Sequence, residues 1–388
     1  MSKTASIFGA TGSIGRSTID LITHNLNDFD VKVLTGGQNW ALLADQALAL
    51  KPDLVVLNDD THADELKAKL AGSGIEIAFG ADAICQAAKI PVDLTVAGIM
   101  GFAGLAPLFE SIKVSKAVAI ANKEPLVAAG DLFMDAAKRA DCQVLPTDSE
   151  HNAIFQVFEP ENHAAIKRLI LTASGGPFRT WAKEDILKAT PQQAVNHPNW
   201  SMGAKISVDS ASLMNKALEV IEAHYLFNMP ADKIDVLVHP QSIIHSMVEY
   251  DDGSVLAQMG APDMRTPIAY CLSWPERMKT SGECLDVLKL SRLEFEEVRA
   301  DVFPSLGWAY EALRSGAGAC IALNAANEVA VAGFLAKKID FAGIFLCVEK
   351  MLENFAAQAV NSLEDVVYLD NQVRIAAQDF LNARYELL

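Results

Sequence analysis

Short runs of β-branched and aliphatic residues alternate with helix-length stretches through the first third of the chain. The runs predict seven strands, at Ser6–Gly9, Val31–Thr35, Leu54–Leu57, Ile75–Phe79, Leu94–Ala97, Ala117–Ala121 and Gln143–Pro146. Helical patterns such as Ile14–Asn25 and Ala41–Leu50 separate them. Because strands that alternate with helices form parallel sheets covered on both faces, residues 1–147 are predicted to be a doubly wound α/β domain.

The middle of the chain has a different pattern. Strands are predicted at Leu169–Ala173, Ile234–Val238, Ile243–Tyr250 and Val255–Met259. The last three follow one another with short turns, which is typical of an antiparallel sheet. An amphipathic helix is predicted from about Ser210 to His224. These elements predict a central α+β domain over residues 148–273.

Helical patterns dominate the last quarter of the chain. Residues 274–299 lack periodicity and are interpreted as a linker. The helices that follow are predicted at Trp308–Ser315, Ile321–Ala336, Phe341–Ala357 and Leu363–Tyr385. Residues 300–388 are therefore predicted to form a C-terminal helical bundle.

Composition narrows the functional classes. The 388 residues include 32 basic and 49 acidic ones, so the net charge of −17 argues against nucleic acid or a membrane surface as partner. No apolar run of membrane-spanning length and no signal peptide are expected. Six scattered cysteines without CxxC spacing predict free thiols rather than disulfides or a zinc site. These features favour a cytoplasmic protein.

A glycine-rich loop joins the first predicted strand to the first predicted helix. Gly9, Gly12 and Gly15 occur in the sequence GATGSIG. In this position glycines let the backbone approach a pyrophosphate, and the helix N-terminus supplies N–H donors. The spacing is GxxGxxG rather than GxGxxG, so an ordinary tight turn is the alternative. The context favours a dinucleotide site in a Rossmann-like domain.

The end of the second strand bears on the choice of cofactor. An acid there holds the ribose 2′-hydroxyl in NAD sites, but this segment continues as Gly36-Gly37-Gln38-Asn39. The absence of an acid favours NADPH over NADH. Since no Arg or Lys stands in the turn either, only neutral donors are available for a 2′-phosphate. A polar loop indifferent to the cofactor is the alternative.

Two groups of polar residues suggest a metal site. Asp148 and Glu150 follow the last strand of the first domain, and two acids spaced this way on an extended segment point in the same direction. Carboxylate oxygens suit Mg²⁺ or Mn²⁺. On the later helix, Asn215, Lys216 and Glu219 share one face. The alternatives are solvated surface acids and a surface Lys–Glu pair.

Other candidate residues lie at a strand end and in a loop. Lys123, within Asn122-Lys123-Glu124, follows a strand of the first domain, where a lysine suits an anionic or hydroxylated substrate. A snorkelling surface pair is the alternative. His197 and Trp200 belong to a Pro-rich loop, and a Trp in such a loop is typical of a lid over a small substrate.

The chain resembles the 1-deoxy-D-xylulose 5-phosphate reductoisomerase family over essentially its whole length. The resemblance rests on GATGSIG, ANKE, TDSEH, LTASGGPF, NHPNWSMGAKISVDSASLMNKALEVIEAH and HPQSIIHSMVEYDDGS, which occur in this order from Gly9 to Ser254. It implies a homodimer that converts 1-deoxy-D-xylulose 5-phosphate, a phosphorylated keto-sugar, to 2-C-methyl-D-erythritol 4-phosphate. NADPH and a divalent metal are the implied cofactors, and either a retro-aldol and aldol sequence or an α-ketol shift fits the residues.

The resemblance also implies roles for individual residues. The metal is implied to be held by Asp148, Glu150 and Glu219, of which Glu150 and Glu219 also contact the substrate. The substrate phosphate is implied to be bound by Ser174, Ser210, Asn215 and Lys216, and the substrate backbone by Lys123, Ser149 and His197. The implied cofactor residues are Thr11, Gly12, Ser13, Ile14, Gly37, Gln38, Asn39, Asn122, Glu124 and Gly203. Trp200 and Met202 fall on a flexible lid.

The resemblance therefore implies five catalytic residues, which are Lys123, Asp148, Glu150, His197 and Glu219. Gln38 departs from the family, because many members carry a basic residue there. Two other interpretations share the glycine loop. One is a plain NADP-dependent semialdehyde or lactaldehyde dehydrogenase, which needs no metal, and the other is a non-catalytic NADP sensor.

Overall fold

The computed structural model of the protein describes residues 2–200 and 202–385. These residues form two compact units. Unit 1 contains the chain up to Pro125, together with Phe133–Asn152 and Asp263–Cys284. Unit 2 contains Leu126–Leu132, Ala153–Pro262 and the chain from Leu285 onward. The domain boundaries drawn above after residues 147, 273 and 299 stay predictions.

Unit 1 is built on alternating strands and helices. Its strands are β1 (Lys3–Phe8), β2 (Phe29–Gly36), β3 (Leu54–Leu57), β4 (Glu76–Phe79), β5 (Val92–Ala97), β6 (Ser115–Ile120) and β7 (Gln143–Pro146). Its helices are α1 (Ser13–Thr23), α2 (Trp40–Leu50), α3 (Ala63–Lys69), α4 (Ala81–Ala87) and α5 (Leu105–Ser111). The helices α6 (Glu124–Arg139) and α7 (Ser149–Val157) begin in this unit.

The seven strands form one parallel sheet in the order β4-β3-β2-β1-β5-β6-β7. The central strands are apolar and almost fully buried because helices cover both faces. The strand order reverses between β1 and β5, and ligands bind at the carboxyl ends of strands beside such a reversal. The predicted Rossmann-like doubly wound sheet is confirmed, and each predicted strand agrees within a few residues.

A helix from late in the chain completes unit 1. It is α12 (Arg265–Ser273), which packs on α1. Lys3 Nζ donates to Leu272 O at 3.0 Å and to Trp274 O at 3.2 Å, so the first strand is tied to this helix. Burial lowers the pKa of Lys3. Unit 1 is therefore assembled from residues more than 250 positions apart in the chain.

Unit 2 combines a second sheet with helices. Its strands are β8 (Ile166–Ala173), β9 (Ile234–Val238), β10 (Ile244–Tyr250) and β11 (Val255–Met259). Between β8 and β9 lie α8 (Lys183–Ile186), α9 (Pro191–Ala194), α10 (Ala204–Ala211) and α11 (Met214–Phe227). The last four helices are α13 (Ser305–Ser315), α14 (Ala317–Leu335), α15 (Phe341–Phe355) and α16 (Leu363–Tyr385).

The second sheet is mixed rather than antiparallel throughout. Its order is β11-β10-β8-β9, in which β8 pairs parallel with β9 and the other pairs are antiparallel. The parallel pair follows from the helical crossover between β8 and β9, whereas β10 and β11 are joined by a short turn. The predicted central α+β region is confirmed, but its all-antiparallel character was wrong for β9.

Helix α14 forms the centre of the C-terminal helices. It packs against α15 and α16, and most of its residues are buried. By length and composition alone it could cross a membrane, so the expectation that the chain lacks such an apolar run was wrong. In unit 2, 72% of its most apolar stretch is buried inside the protein, which is what the core helix of a helical layer requires.

Candidate functional site

The glycine loop between β1 and α1 allows close backbone approaches that a side chain would prevent. Gly9 has φ +82°, and a Cβ there would lie 2.5 Å from Gly98 O. A Cβ on Gly15 would lie 2.3 Å from Gly9 O, so α1 begins closer to β1 than any other residue would permit. Gly12 precedes the helix and provides no side-chain cap. Because Gly12 has no side chain to cap them, the first N–H groups of α1 can donate to an anion.

The other predicted cofactor residues of unit 1 lie at the ends of β2 and β6. Gly37, Gln38 and Asn39 are exposed, and Asn39 Oδ1 caps α2 by accepting from Leu42 N at 3.2 Å. The turn itself contains no acid, as the sequence indicates, but the structure brings Asp59 beside it. Asp59 N donates to Gly37 O at 3.1 Å. Reading the strand end alone therefore missed a neighbouring carboxylate.

The side chain of Asn122 stabilises the loop after β5. Its Nδ2 donates to Ile99 O at 2.5 Å and to Gly101 O at 2.8 Å, which holds the loop after β5 at the carboxyl edge of the sheet. Lys123 is only 7% exposed and forms an ion pair with Asp148. The alternative of a snorkelling surface lysine is therefore wrong. Glu124 is the buried first residue of α6.

The two predicted metal-binding acids of this region lie at a helix start, not on an extended segment. Asn152 N donates to Asp148 O at 2.8 Å, so α7 begins directly after Asp148, and Glu150 belongs to its first turn. The extended geometry predicted above was wrong because this polar run starts a helix. The acids are nevertheless close, with one oxygen of each within 4.8 Å of the other. Ser149 Oγ donates to Glu150 Oε2 at 2.6 Å.

In unit 2, a glycine pair brings Ser174 close to α10. Gly175 and Gly176 both have positive φ, and a Cβ on Gly176 would lie 2.6 Å from Ser210 O. Only glycine allows the loop after β8 to pack this tightly on the helix that carries Ser210. Two of the predicted phosphate ligands, Ser174 and Ser210, therefore lie on segments that are in contact.

His197 organises the predicted lid. Its Nδ1 accepts from Asn199 N at 3.2 Å and from Trp200 N at 3.0 Å. A ring nitrogen that accepts carries no proton, so the neutral ring is protonated on Nε2. Nε2 lies 2.8 Å from Ser174 Oγ and donates to it. The serine hydroxyl proton is then available to a ligand, because Gly176 N also donates to the same oxygen at 3.2 Å.

The lid is fastened to the turn before β10. Asn199 Nδ2 donates to Pro240 O at 2.6 Å and to Ser242 Oγ at 3.2 Å. Trp200 is half-buried, with its ring centroid 6.2 Å from that of His245, and Met202 is also half-buried. Gly203 caps α10. The sequence interpretation named the lid but missed Asn199, whose only signal was its position between Pro198 and Trp200.

The single helix predicted from Ser210 to His224 is in fact two helices. Leu213 has φ +57°, and α10 ends before it while α11 begins after it. Ser212 stabilises the break, because its Oγ donates to Asp209 O at 3.2 Å and accepts from Met214 N at 3.4 Å. Periodicity alone did not reveal this break, since an Ala-Ser-Leu-Met run is compatible with a helix. Ser210 and Asn215 therefore lie on different helices.

The polar face predicted on α11 is confirmed and is buried. Asn215 Nδ2 donates to Glu219 Oε1 at 2.5 Å, and Lys216 forms an ion pair with Glu219 Oε2. Lys216 is 3% exposed and Glu219 0% exposed, so the alternative of a surface Lys–Glu pair is wrong. Buried charges persist only when they are paired or bind an ion, and here Lys216 and Asn215 provide the partners of the Glu219 carboxylate.

Residues far along the chain hold α10 in place, and no local sequence pattern predicted them. Asn327 Nδ2 of α14 donates to buried Asp209 Oδ1 at 2.8 Å, and Lys205 Nζ pairs with the other oxygen at 2.8 Å. Ser305 Oγ of α13 donates to Ser212 O at 2.8 Å. The C-terminal helices therefore fix the segment that carries the predicted phosphate ligands.

The donor chemistry of these groups fits a hard divalent cation. Asp148, Glu150 and Glu219 offer carboxylate oxygens, and each carboxylate accepts a hydrogen bond or pairs with a cation. Among the described residues, the clusters of potential metal ligands include no cysteine, and burial raises the pKa of Cys142 to about 11 and of Cys271 to about 12. The described residues therefore fit an oxygen-ligated ion and, at the glycine loop, a dinucleotide.

Comparisons with known proteins agree over nearly the whole chain. The family described as 1-deoxy-D-xylulose 5-phosphate reductoisomerase matches residues 5–130, and the C-terminal domains of that enzyme match residues 144–227 and 259–376. The proteins of this name from Zymomonas mobilis and Rhodospirillum centenum are each 51% identical to the chain. The match to the Zymomonas mobilis protein covers 97% of this chain and 97% of that protein. The match to the Rhodospirillum centenum protein covers 98% of this chain and 95% of that protein.

Solved structures of the same enzyme are also similar. The Zymomonas mobilis enzyme in complex with NADPH is 49% identical and superposes with a TM-score of 0.93, covering 98% of this chain and 99% of that one. A reductoisomerase in complex with NADPH, fosmidomycin and magnesium is 41% identical, also with a TM-score of 0.93 and 98% coverage of both chains.

Proposed function

The chain belongs to the 1-deoxy-D-xylulose 5-phosphate reductoisomerase family, and we propose that the residues described above carry out its reaction. It is an NADP-dependent oxidoreductase that rearranges and reduces 1-deoxy-D-xylulose 5-phosphate to 2-C-methyl-D-erythritol 4-phosphate, with NADPH and a divalent metal as cofactors. The observation that best supports our residue assignment is the buried cluster of Asn215, Lys216 and Glu219 on α11.

Asp148, Glu150 and Glu219 are the proposed metal ligands. When bound, a divalent ion such as Mg²⁺ or Mn²⁺ supplies Lewis-acid polarisation of the keto and hydroxyl oxygens of the substrate. Lys123 and Lys216 each pair with one of these carboxylates and keep it ionised and oriented. Ser149 orients Glu150 through its hydroxyl and can bind a substrate oxygen.

The proposed phosphate site consists of Ser174, Ser210, Asn215 and Lys216. The His197 ring donates to Ser174, which leaves the serine hydroxyl proton free to donate to a phosphate oxygen. Lys216 supplies the positive charge. Because the phosphate is remote from the reacting carbons, its binding energy can be used to close the lid and to position the substrate.

His197 is proposed to act as a hydrogen-bond donor that positions the substrate and the lid. With Nδ1 occupied by two backbone N–H groups, the ring has no free basic nitrogen while the lid keeps this conformation. Trp200 and Met202 then exclude water from the reacting groups. Lys123, at the end of β6, is placed to donate to a substrate oxygen.

The nicotinamide cofactor is proposed to bind along the carboxyl edge of the parallel sheet. Thr11, Gly12, Ser13 and Ile14 would contact the pyrophosphate, and Gly37, Gln38 and Asn39 the adenosine ribose. Asn122, Glu124 and Gly203 are proposed to complete the site, Asn122 by holding the loop after β5. The cofactor supplies the hydride that reduces the rearranged aldehyde.

Removal of the metal tests the proposal directly. NADPH oxidation by the enzyme with 1-deoxy-D-xylulose 5-phosphate should stop after EDTA treatment and return when Mg²⁺ or Mn²⁺ is restored, whereas NADPH binding should persist. The assay is the loss of absorbance at the NADPH band, with cofactor fluorescence reporting binding. Oxidation that is indifferent to EDTA would return the three carboxylates to structural roles and favour a plain dehydrogenase.

We propose that the protein is a homodimer, on the basis of an exposed sheet edge in unit 2. We also propose that it is cytoplasmic, on the basis of its free thiols. Strand β11 is at the edge of its sheet, and Val255, Leu256 and Met259 are 49%, 39% and 36% exposed. An unpaired edge with exposed apolar residues is expected to be covered by a second copy of the chain. Six unpaired cysteines are typical of a reducing compartment.

A charge on this edge should separate the two subunits. We expect Leu256→Glu to halve the mass measured by light scattering after gel filtration, because a carboxylate cannot be buried unpaired in an interface. Leu288→Glu is the matched control, since Leu288 is 97% exposed and lies outside the sheet. A Leu256→Glu protein with unchanged mass would show that the subunits associate through another surface.

A further inference from the structure

A buried carboxylate lies next to the proposed phosphate ligand Ser210. Asp209 is 1% exposed, and both of its oxygens have partners within unit 2. Oδ1 accepts from Asn327 Nδ2 at 2.8 Å, and Oδ2 pairs with Lys205 Nζ at 2.8 Å. Without Lys205, the negative charge would repel a phosphate group bound at the neighbouring residue. The ion pair therefore makes this carboxylate compatible with an anion site.

Asn327 reaches Asp209 from a fully buried position on another helix. It belongs to α14, is 0% exposed and lies 118 positions further along the chain. Among the described residues, its Oδ1 has no hydrogen-bond partner, so the buried amide is only partly satisfied. Burial of such a group costs free energy, and its bond to a charged acceptor offsets that cost. The Nδ2 donor is therefore the part of Asn327 that the structure uses.

The position of α10 determines how far apart two of the proposed phosphate ligands lie. A Cβ on Gly176 would lie 2.6 Å from Ser210 O, so the loop that carries Ser174 is in direct contact with the backbone of α10. At the end of this helix, Ser212 Oγ donates to Asp209 O at 3.2 Å. Because Asp209 is bonded through both its side chain and its carbonyl, a shift of this residue moves Ser210 relative to Ser174.

We infer that Asp209 and Asn327 are positioning residues of the phosphate site, which together hold Ser210 at the distance from Ser174 that a single phosphate group requires. Their contact acts through the Ser210 hydroxyl and not through a bond to the substrate. It also makes phosphate affinity depend on α14, a helix of the C-terminal layer. This inference rests on the proposed function, because it concerns the same phosphate site.

The first test compares Asn327→Leu with Asn324→Leu. Asn324 is the matched control, because it is also a fully buried asparagine of α14 whose Oδ1 has no partner among the described residues. Its Nδ2, however, donates to Glu328 Oε1 of the same helix at 3.4 Å and not to α10. For each variant, kcat and KM for 1-deoxy-D-xylulose 5-phosphate and the inhibition constant of inorganic phosphate are measured with NADPH and Mg²⁺.

Asn327→Leu should raise both KM and the inhibition constant of phosphate by about tenfold, the effect of losing one charge-assisted hydrogen bond, with kcat within about threefold of its original value. Asn324→Leu should leave all three constants unchanged, although it removes the same buried amide. A purely structural role would lower the melting temperature of both variants without this difference. Equal effects of the two substitutions on KM, or no effect of Asn327→Leu in a folded protein, overturn the inference.

A second pair of variants tests the contact even if Asn327→Leu does not fold. Asn327→Asp places two carboxylates opposite each other and should raise KM by at least about tenfold. Adding Asp209→Asn restores an amide–carboxylate pair with donor and acceptor exchanged, so KM should return to within about threefold of the original value. A double variant that retains the KM of Asn327→Asp contradicts the proposed contact.

The Ser210→Ala background shows whether the contact acts through the serine. There, Asn327→Leu should no longer change KM, because the hydroxyl that it positions is absent. A full effect of Asn327→Leu in this background overturns the inference. Failure of the proposed function is distinct, since the unaltered enzyme would then not oxidise NADPH with 1-deoxy-D-xylulose 5-phosphate at all.

Discussion

Replacing Glu219 with Gln should lower kcat by at least about a thousandfold, with NADPH binding almost unchanged. The substitution keeps the shape of the side chain and removes its charge, so it tests the proposed metal ligand without creating a cavity. Glu219 is fully buried and is paired with Lys216, so the substitution removes a charge that solvent does not reach. Steady-state NADPH oxidation gives kcat, and cofactor fluorescence gives the Kd of NADPH.

A matched control separates loss of the metal from loss of a buried charge. Glu249 also accepts from two cations, Lys167 and Arg168, but it belongs to β10 outside the proposed site. Glu249→Gln should therefore retain turnover. Raising the Mn²⁺ concentration should recover part of the activity of Glu219→Gln if the affinity for metal has fallen. Normal turnover by Glu219→Gln at low metal concentration would contradict its assignment as a ligand.

The parallel sheet could be predicted from the sequence because its strands carry the simplest pattern. A strand buried on both faces is a continuous apolar run, and the helices between the strands are long enough to be recognised. The second sheet was harder to predict. Its strands could be located, but the parallel pairing of β8 with β9 depends on a long crossover whose four helices the pattern did not resolve.

The candidate site was predicted as a set of residue types but not as a geometry. The face shared by Asn215, Lys216 and Glu219 follows from helical spacing alone. In the structure, Asn215 and Lys216 both contact Glu219 on this face. The break at Leu213 does not follow from spacing, because a residue with positive φ is placed there by hydrogen bonds of Ser212 and by Ser305, over ninety residues later. Interactions with such distant partners leave no local pattern.

The two acids that follow β7 are a second case in which the local geometry differs from the prediction. Alternation of side chains predicted that Asp148 and Glu150 point together on an extended segment, yet they come close because α7 begins between them. The polar run Thr147–His151 is equally typical of a helix start, where acids are favoured by the helix dipole. In this case the closeness of the two acids was predicted correctly on the basis of an incorrect local geometry.

Replacing Lys216 with Met should raise KM for 1-deoxy-D-xylulose 5-phosphate by about a hundredfold, because a buried charge-assisted contact to a phosphate is lost. Methionine keeps most of the packing of the lysine stem on α11, where Lys216 is 3% exposed. We also expect kcat to fall, since Lys216 pairs with Glu219. NADPH binding should be unaffected.

The control for this variant is Lys167→Met, which removes another paired lysine of unit 2 from an exposed position. Inorganic phosphate provides a second measurement, because it should compete with the substrate in the unaltered enzyme and lose this effect in Lys216→Met. A thermal melt shows whether the buried Glu219 carboxylate, left without its cation, destabilises the fold. If KM and phosphate competition both stay at their original values in a folded protein, the phosphate binds elsewhere, and the cluster on α11 serves the metal alone.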